Sequence, residues 1–268
     1  MSKKKLILIY LICFVMVAVS AYPLVETFIV SKAQQENEIA LFEERFQDVG
    51  YTEEEINELI ALEEPGNYSV SLGKVNIIGV LYVPKIGLKL PIYDNTNPRA
   101  IENGAGLIEG TGDIYDRGIA NPVLTAHNGM VNKNLFMNLN KIKVGDEFFT
   151  RTAFETSQYR VVGEETKLPE DEIDYLINNF QDNTYLTLRT CVPTGINSHR
   201  LLITGVFEGN VQDKVVDKIS SEVSFFDSIS FIHYFCAGGI LFALVILIAA
   251  TKRYKKEEKN LIRKKSNN

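Results

Sequence analysis

Two long apolar stretches flank a more polar middle region in this chain. Residues 6–25 contain no charged side chain, and neither do residues 228–251. A helix needs about 20 residues to cross the ~30 Å hydrocarbon core of a membrane, and each stretch is long enough to do so. The pattern predicts a transmembrane anchor within residues 6–30 and a second transmembrane helix over residues 228–251.

The first stretch also fits a cleaved signal peptide. Lys3–Lys5 precede it, and small residues follow at Ala18, Ser20 and Ala21. However, Pro23 is poorly placed beside a cleavage site, and the segment is long for the apolar part of a signal peptide. The sequence therefore favours a retained anchor.

Basic residues at the outer ends of the two stretches predict their orientation. Three lysines precede the first stretch, and eight lysine and arginine residues follow the second. Segments rich in lysine and arginine stay on the cytoplasmic side of a membrane. We therefore expect residues 1–5 and the basic tail, residues 252–268, to be cytoplasmic, and residues 31–228 to be extracellular.

A polar segment rich in Gln and Glu follows the first stretch and is predicted to be helical over residues 31–62. Within it, Thr52 followed by three glutamates is typical of a helix N-cap with acids in the first turn. The Pro-Gly pair at residues 65–66 then breaks the helix. Residues 31–74 are interpreted as a helical stalk or lid-like region that packs on the next domain.

Short strands and turn signals fill residues 75–210. β-branched and aromatic residues favour strands at Ile77–Val83, Lys89–Tyr93, Pro122–Thr125, Glu147–Thr152, Gln158–Gly163, Thr184–Thr190 and Arg200–Phe207. Seven or more short strands with few long helices are typical of a closed β barrel or a sandwich. Residues 211–227 are predicted to link this domain to the second span.

The charge of the middle region argues against nucleic-acid binding. Between the two basic ends the chain carries 17 Lys and Arg against 32 Asp and Glu, a net charge of −15. Binding to phosphate backbones needs clustered cations, which this composition does not favour. Solubility is the simpler interpretation of the excess of acidic residues.

Cysteine usage leaves one sulfur for chemistry outside the membrane. Cys13 and Cys236 fall in the apolar stretches, whereas Cys191 lies in the predicted extracellular region. A single available sulfur excludes a disulfide framework and a zinc site with cysteine-pair spacing. We therefore expect no metal and no cofactor, and an unpaired thiol in an oxidising setting is either partner-seeking or reactive.

Cys191 ends one predicted strand, and Arg200 begins the next. If these strands pair antiparallel, the two residues face each other with Cα atoms about 4.5–5.5 Å apart. A guanidinium stays protonated and can stabilise the charge that develops on a carbonyl oxygen. A nearby cation also favours the nucleophilic thiolate form of a cysteine.

A histidine would complete this set by moving a proton to a leaving amine and from an incoming nucleophile. His127 emerges where a strand gives way to a glycine turn, His199 directly precedes Arg200, and His233 lies in the second apolar stretch. Adjacent residues of a strand point to opposite faces, so His199 is the weaker candidate if Arg200 faces the thiol. Each of these residues taken singly has a structural role more often than a catalytic one, and only their combination favours catalysis.

At these residues the chain resembles the sortases, the cysteine transpeptidases of Gram-positive bacteria. Thr187-Leu-Arg-Thr-Cys191 resembles the family's TLxTC motif, Arg200 stands at the expected spacing after it, and Leu124–His127 resembles the histidine motif. The resemblance extends from about Val75 to Glu208. It implies a mostly β fold, an eight-stranded sortase β barrel with short helices, and it implies His127, Cys191 and Arg200 as the catalytic residues.

Other features are similar to class C, the pilin-polymerising sortases. These are the sequence following Cys191, the segment Leu135–Asp146 and the second membrane span. One feature differs, because many class C enzymes have a lid with an Asp-Pro-aromatic motif, and residues 62–74 contain none. Tyr68 is a candidate for a degenerate lid aromatic, but an open site or a different gate is favoured.

The resemblance implies cleavage of an LPxTG-like sorting signal between Thr and Gly, followed by transfer of the acyl group to an amine. The expected partners are LPxTG-type surface or pilin proteins, with a pilin lysine as the acceptor. Three alternatives stay open: a housekeeping sortase that uses a peptidoglycan precursor as acceptor, a thiol hydrolase in which water is the acceptor, and a non-catalytic surface protein.

Overall fold

The computed structural model of the chain describes residues 3–25, 32–46, 70–72, 74–115, 118–130, 133, 135–180, 182–212 and 231–266. Two compact units form, one from Met1–Val30 with Ile229–Asn268 and the other from Ser31–Ser228. The α-helices are α1 (Lys3–Val25), α2 (Lys32–Phe46), α3 (Pro98–Asn103), α4 (Glu172–Asn179) and α5 (Phe231–Ser266). The strands are β1 (Val70–Ser71), β2 (Asn76–Val83), β3 (Leu88–Tyr93), β4 (Ala105–Leu107), β5 (Val123–Thr125), β6 (Glu147–Arg151), β7 (Thr156–Lys167), β8 (Tyr185–Val192) and β9 (His199–Val211).

The first unit is a pair of apolar helices. Both α1 and α5 contain a segment that is long and apolar enough to cross a membrane. The helices are antiparallel, because the Tyr10 hydroxyl lies 2.9 Å from Thr251 Oγ1 while Ser20 faces Gly239 near the other end. A Cβ on Gly239 would lie 2.6 Å from Ser20 Oγ, so the glycine permits the close approach that is common between membrane helices. Helix α5 continues through the basic residues as far as Ser266.

The second unit is a closed β barrel of eight strands. Hydrogen bonding runs in the order β2-β3-β4-β5-β8-β9-β7-β6, and an antiparallel pairing of β6 with β2 closes the ring. The short strand β1 adds to the outside of this ring by pairing with β2. The eight-stranded barrel that the family resemblance implied is therefore confirmed.

Side chains fill the barrel interior, as expected for a ring of eight strands. The rings of Phe148 and Tyr159 stack with centroids 5.2 Å apart, and both are buried. Gly205 faces these rings, and a Cβ there would lie 2.6 Å from Phe148 Cε1. The interior is a packed core rather than a channel, so a substrate must bind on the outer surface.

All seven strands predicted from the sequence are present, with ends shifted by four residues or fewer. The sequence analysis missed β1 and β4 because they have only two and three residues, and the Ala-Gly-Leu of β4 carries no β-branched side chain. It also missed α3, which has only six residues. Asn97 caps this helix by accepting a hydrogen bond from the Ala100 amide at 3.0 Å, and Pro98 occupies the first turn.

Helix α2 packs on the outer face of the barrel. Ile39 and Phe42 are buried against a cluster that includes Val80, Tyr82 and Phe149. The helix thus covers an apolar patch on β2, β3 and β6 that would otherwise face water. The structure confirms a helix at the start of the predicted segment, whereas the rest of that segment, with the expected cap at Thr52 and the aromatic Tyr68, lies outside the described residues.

Two carboxylates of α2 add polar contacts to this interface. Glu38 is 5% exposed and accepts a short hydrogen bond from the Tyr93 hydroxyl. Burial raises the pKa of Tyr93, and the hydrogen bond to Glu38 raises it further. Glu43 accepts from the Tyr82 hydroxyl at 2.9 Å and from Arg151 Nη1 at 3.2 Å. A charged helix therefore packs on an apolar surface with its carboxylates satisfied.

Truncating Phe42 should release this interface. Phe42→Ala leaves a cavity in a well-packed cluster, and we expect a loss of about 3–5 kcal/mol in the free energy of unfolding. Leu41 is the neighbouring residue but is 42% exposed, so Leu41→Ala should cost less than about 0.5 kcal/mol. Denaturant unfolding of the full chain in detergent, followed by circular dichroism, compares the two. Equal losses in both variants would contradict docking through Phe42.

Candidate active site

Cys191 and Arg200 are directly opposite each other in the antiparallel pair β8–β9. This is the register that the sequence predicted from the loop between the two strands. Side chains of directly opposite residues lie on the same face of a sheet, with Cβ atoms about 4.5–5.5 Å apart. The thiol and the guanidinium therefore occupy one face at the end of the hairpin.

That face is the outer one. Leu186 and Leu188 belong to the barrel core, and side chains alternate along a strand. Thr187, Arg189 and Cys191 therefore lie on the opposite face of β8 from these leucines. Cys191 is half-buried and forms no disulfide with either of the other two cysteines, so its sulfur can be reached from outside the barrel.

The guanidinium of Arg200 is held by backbone carbonyls. Nη1 donates to the carbonyl oxygens of Asn197 and His199, each at 3.0 Å. Nε is buried and has no hydrogen-bond partner in the described part of the chain.

His127 reaches the same end of the barrel by way of β5. Strand β5 runs parallel to β8, and the pairing continues past the strand end, where Thr190 Oγ1 donates to the Ala126 carbonyl at 2.8 Å. Parallel strands bring their carboxyl ends to one edge of a sheet. His127 therefore leaves β5 beside the point where β8 presents Cys191, and its side chain is exposed there.

Asn128 ties the histidine loop to the cysteine strand. Its amide Nδ2 donates to the Cys191 carbonyl at 2.8 Å, and its Oδ1 accepts from Thr194 Oγ1 at 3.1 Å. Sequence reasoning missed this residue. The available signal was an asparagine between His127 and a glycine turn, a residue type whose side chain readily bonds to nearby backbone.

Gly129 makes that junction possible. Its φ is +91°, a region that favours glycine, and a Cβ there would lie 2.2 Å from Thr194 Cγ2. A side chain at this position would push the histidine loop away from the loop between β8 and β9.

His199, the competing histidine, has a different environment. It pairs with Val192, which packs on the barrel core, so this pair lies on the opposite face from Cys191 and Arg200. The His199 ring nitrogen Nδ1 is 2.9 Å from Ser198 Oγ. His233 is part of α5, and its side chain is outside the described residues.

A groove of about 640 Å³ lies on the outer side of the sheet. Arg189 of β8 lines its floor, and Glu172, Ile173 and Leu176 of α4 form one wall. Arg189 is two residues before Cys191 on the same face of the strand. The groove therefore reaches to within two strand residues of the thiol, although Cys191, His127 and Arg200 are not among its lining residues.

Aromatic contacts hold the end of α4 against the barrel. Phe180 packs against Tyr185 with ring centroids 5.1 Å apart, and the Tyr185 hydroxyl donates to Asp182 at 2.6 Å. That hydrogen bond raises the pKa of Tyr185 to about 12, with a further contribution from burial. Residues 164–167, which precede this helix, belong to strand β7. The groove wall that α4 forms thus begins only after Lys167.

Comparisons with known proteins identify the family of this chain. The sortase domain family model matches residues 81–208. A solved structure described as a pilus-related Sortase C of Group B Streptococcus is 31% identical, and the match covers 65% of this chain and 96% of that one, with a TM-score of 0.51. The chain belongs to the sortase family. It is therefore a cysteine transpeptidase, as the resemblance of its motifs implied.

Other sortases are similar over comparable lengths. Sortase C1 of GBS Pilus Island 1 is 27% identical, with a TM-score of 0.57 over 67% of this chain and 94% of that one. A sortase C of Streptococcus pneumoniae is 27% identical, with a TM-score of 0.53 over 65% of this chain and 98% of that one. Sortase A of Bacillus anthracis is 26% identical over 146 residues, which is 54% of this chain and 67% of that protein.

Proposed function

We propose that this sortase is anchored in the cell membrane, faces the outside, and cleaves an LPxTG-like sorting signal between Thr and Gly. It transfers the new carboxyl end to an amine, a pilin lysine, and so assembles pili. The observation that carries this proposal is the pairing of Cys191 with Arg200 across β8 and β9, with His127 delivered to the same edge by β5.

Acylation is the first half of the reaction. The Cys191 thiolate attacks the carbonyl carbon of the signal threonine, and the electron pair moves to the carbonyl oxygen. Arg200 stabilises this oxyanion through Nη2, because both of its hydrogen bonds to backbone use Nη1. His127, in its protonated form, donates a proton to the glycine amine as the C–N bond breaks.

Transfer is the second half. The incoming amine attacks the thioester, and neutral His127 accepts the proton that the amine loses. The second oxyanion collapses, expels the Cys191 thiolate and leaves a new amide bond. The histidine thus returns to its protonated form, and no metal or cofactor is needed for the proton balance.

The acceptor distinguishes two candidate functions. Similarity to solved sortases of pilus systems supports a pilin lysine. The match to Sortase A of Bacillus anthracis supports the alternative, attachment of surface proteins to a peptidoglycan precursor. Incubating the full chain with a sorting-signal peptide and each amine separately, then identifying the conjugate by mass spectrometry, decides between them. If only the cleaved peptide with a free threonine carboxylate were released, and no conjugate formed, the enzyme would be a hydrolase.

The helix pair supports the proposed topology. Because α1 and α5 are antiparallel, Lys3–Lys5 and the basic tail lie at the same end of the pair. Basic flanks stay in the cytoplasm, so this arrangement supports a topology with both termini inside and the barrel outside. The proposed linker to the second span lies outside the described residues from residue 213 onward.

Removing the thiol should abolish acyl transfer. Cys191→Ala removes only the sulfur atom and with it the nucleophile, so we expect turnover to fall by several orders of magnitude. Mass spectrometry of the wild-type chain with an LPxTG peptide should show an acyl adduct on Cys191 that the variant lacks. Unchanged thermal unfolding of the variant is the control for folding, and normal turnover would refute the assignment.

Arg200→Lys tests oriented hydrogen bonding. Lysine keeps the positive charge but loses the planar fork of donors, so the oxyanion is stabilised less. We expect kcat/KM to fall by roughly a hundredfold, which is typical for loss of an oxyanion donor. Full activity of this variant would show that the charge alone suffices and that the proposed role is wrong.

A pair of histidine variants tests the proton carrier. His127→Asn should lower kcat by roughly a hundredfold to ten-thousandfold, the usual contribution of general acid–base catalysis. His199→Asn is the matched control, since His199 lies next to Arg200 but on the other face of the sheet. Steady-state cleavage of a fluorogenic LPxTG peptide measures both. Loss of activity only in the His199 variant would reverse the assignment.

A further inference from the structure

Arg189 stands at the point where the groove meets the thiol. It occupies the variable position of the Thr-Leu-Arg-Thr-Cys sequence, two residues before Cys191 and on the same outer face of β8. Two residues of a strand span about 6.6–6.8 Å. Arg189 is therefore the groove residue that an extended peptide would pass immediately before its scissile carbonyl reached the thiol.

An ion pair with α4 fixes the orientation of this arginine. Arg189 Nε donates to Glu172 Oε2 at 2.8 Å, and Nη2 donates to Glu172 Oε1 at 2.9 Å. The two side chains are only 19% and 14% exposed, so water screens the pair less than it would a surface pair. A bidentate pair of this kind holds the guanidinium plane in one direction.

A third contact joins Arg189 to the strand that carries the histidine. Nη1 donates to Thr125 Oγ1 at 3.3 Å, and the Thr125 hydroxyl donates to the Arg189 carbonyl at 3.3 Å. Thr125 is two residues before His127 on β5. Arg189, which belongs to the cysteine strand β8, thus contacts both the groove wall through Glu172 and the histidine strand β5 through Thr125.

Two hydrogen-bond donors of Arg189 remain for a ligand. A guanidinium has five N–H groups, and three of them donate to Glu172 and Thr125. The other two have no hydrogen-bond partner in the part of the chain that the structure describes, and Arg189 lines the groove. Because Glu172 balances its charge, Arg189 offers the groove directed donors rather than a free cation.

We propose that Arg189, oriented by Glu172, is a substrate-positioning residue that donates to a backbone carbonyl of the sorting signal about two residues before the threonine of the scissile bond. This inference rests on the proposed function. In an LPxTG-like signal the residue at that distance from the threonine carbonyl is the proline. Proline has a carbonyl but no amide hydrogen, so a side chain that only donates is its complement.

The spacing explains why such a contact would affect binding more than chemistry. The hydrogen bond forms to a part of the peptide that does not react, and it forms equally in the bound substrate and in the transition state. Interactions of that kind change KM with little change in kcat. A residue that merely holds the fold together would not produce this separation.

The test uses the full chain in detergent and a fluorogenic peptide containing Leu-Pro-Ala-Thr-Gly. Arg189→Met should raise KM by roughly tenfold or more, as expected for loss of a hydrogen bond to a charged group, and should change kcat less than about threefold. Glu172→Gln keeps the shape but frees the guanidinium, and we expect a smaller rise in KM. Circular dichroism confirms that each variant is folded.

Two controls separate positioning from stability. Arg160 forms a more exposed bidentate pair with Glu208 on β7 and β9, away from the groove, and also contacts Glu147, so Arg160→Met should leave KM unchanged. The exchanged pair Glu172→Arg with Arg189→Glu restores an ion pair but puts an acceptor where the donors were, so KM should stay high. An unchanged KM in Arg189→Met, an equal rise in Arg160→Met, or full recovery in the exchanged pair would each overturn the proposal.

Binding without chemistry distinguishes this inference from the proposed function. In a Cys191→Ala background, fluorescence anisotropy with the same labelled peptide reports Kd directly, and adding Arg189→Met should raise Kd by the same factor as KM. If the wild-type chain bound the peptide but did not cleave it, the proposed reaction would be refuted, while the anisotropy comparison would still decide the role of Arg189.

Discussion

The parallel pairing of β5 with β8 is the contact on which the site depends. It joins β2–β5 to β6–β9 within the ring of strands. Its register also aligns the end of β5, which His127 follows, with the end of β8, which carries Cys191. Thr187 strengthens it from the outer face, where its hydroxyl is 2.8 Å from Asn121 Oδ1 and 2.8 Å from Thr204 Oγ1. A slip of one residue would turn Cys191 to the inner face and away from His127.

Whether two residues of the candidate site could be predicted to lie together depended on how far apart they are in the sequence. The pairing of Cys191 with Arg200 followed from the sequence, because two strands joined by a short loop form an antiparallel hairpin. The proximity of His127 to Cys191 did not follow from strand patterns, since β5 and β8 are far apart in sequence and pair in parallel. Only the family resemblance linked those two residues.

Contacts made by single polar side chains were less predictable still. Asn128 reaches the Cys191 carbonyl and Glu172 reaches Arg189 because loops and a short helix fold back onto the sheet. Neither element has a strong pattern: α4 has eight residues, and the described residues 126–130 after β5 belong to no helix or strand. Hydrophobic periodicity indicates which face of a helix or strand is buried, but it does not indicate which residue a polar side chain on the other face will hydrogen-bond to.

The two arginines on the outer face of this hairpin differ in their counter-charges. Arg189 has a carboxylate partner, whereas the contacts of Arg200 in the described residues are neutral carbonyls. Of these two arginines, the one without a carboxylate partner among the described residues is thus the one beside the thiol. Positive charge that no carboxylate balances is what an oxyanion needs, while directed donors of low net charge suit a neutral peptide backbone.

The backbone around the histidine is fixed on several sides while the side chain stays exposed. Asn128 bonds to the Cys191 carbonyl, the His127 carbonyl accepts from the Phe136 amide at 3.0 Å, and Lys133 Nζ donates to Asn103 Oδ1 at 2.6 Å. Asn103 in turn accepts from Gln35 of α2 through its carbonyl at 2.9 Å. Proton transfer needs a ring that can reach two different amines in turn, yet small displacements of the backbone would cost much of the rate. A fixed loop with an exposed ring meets both requirements.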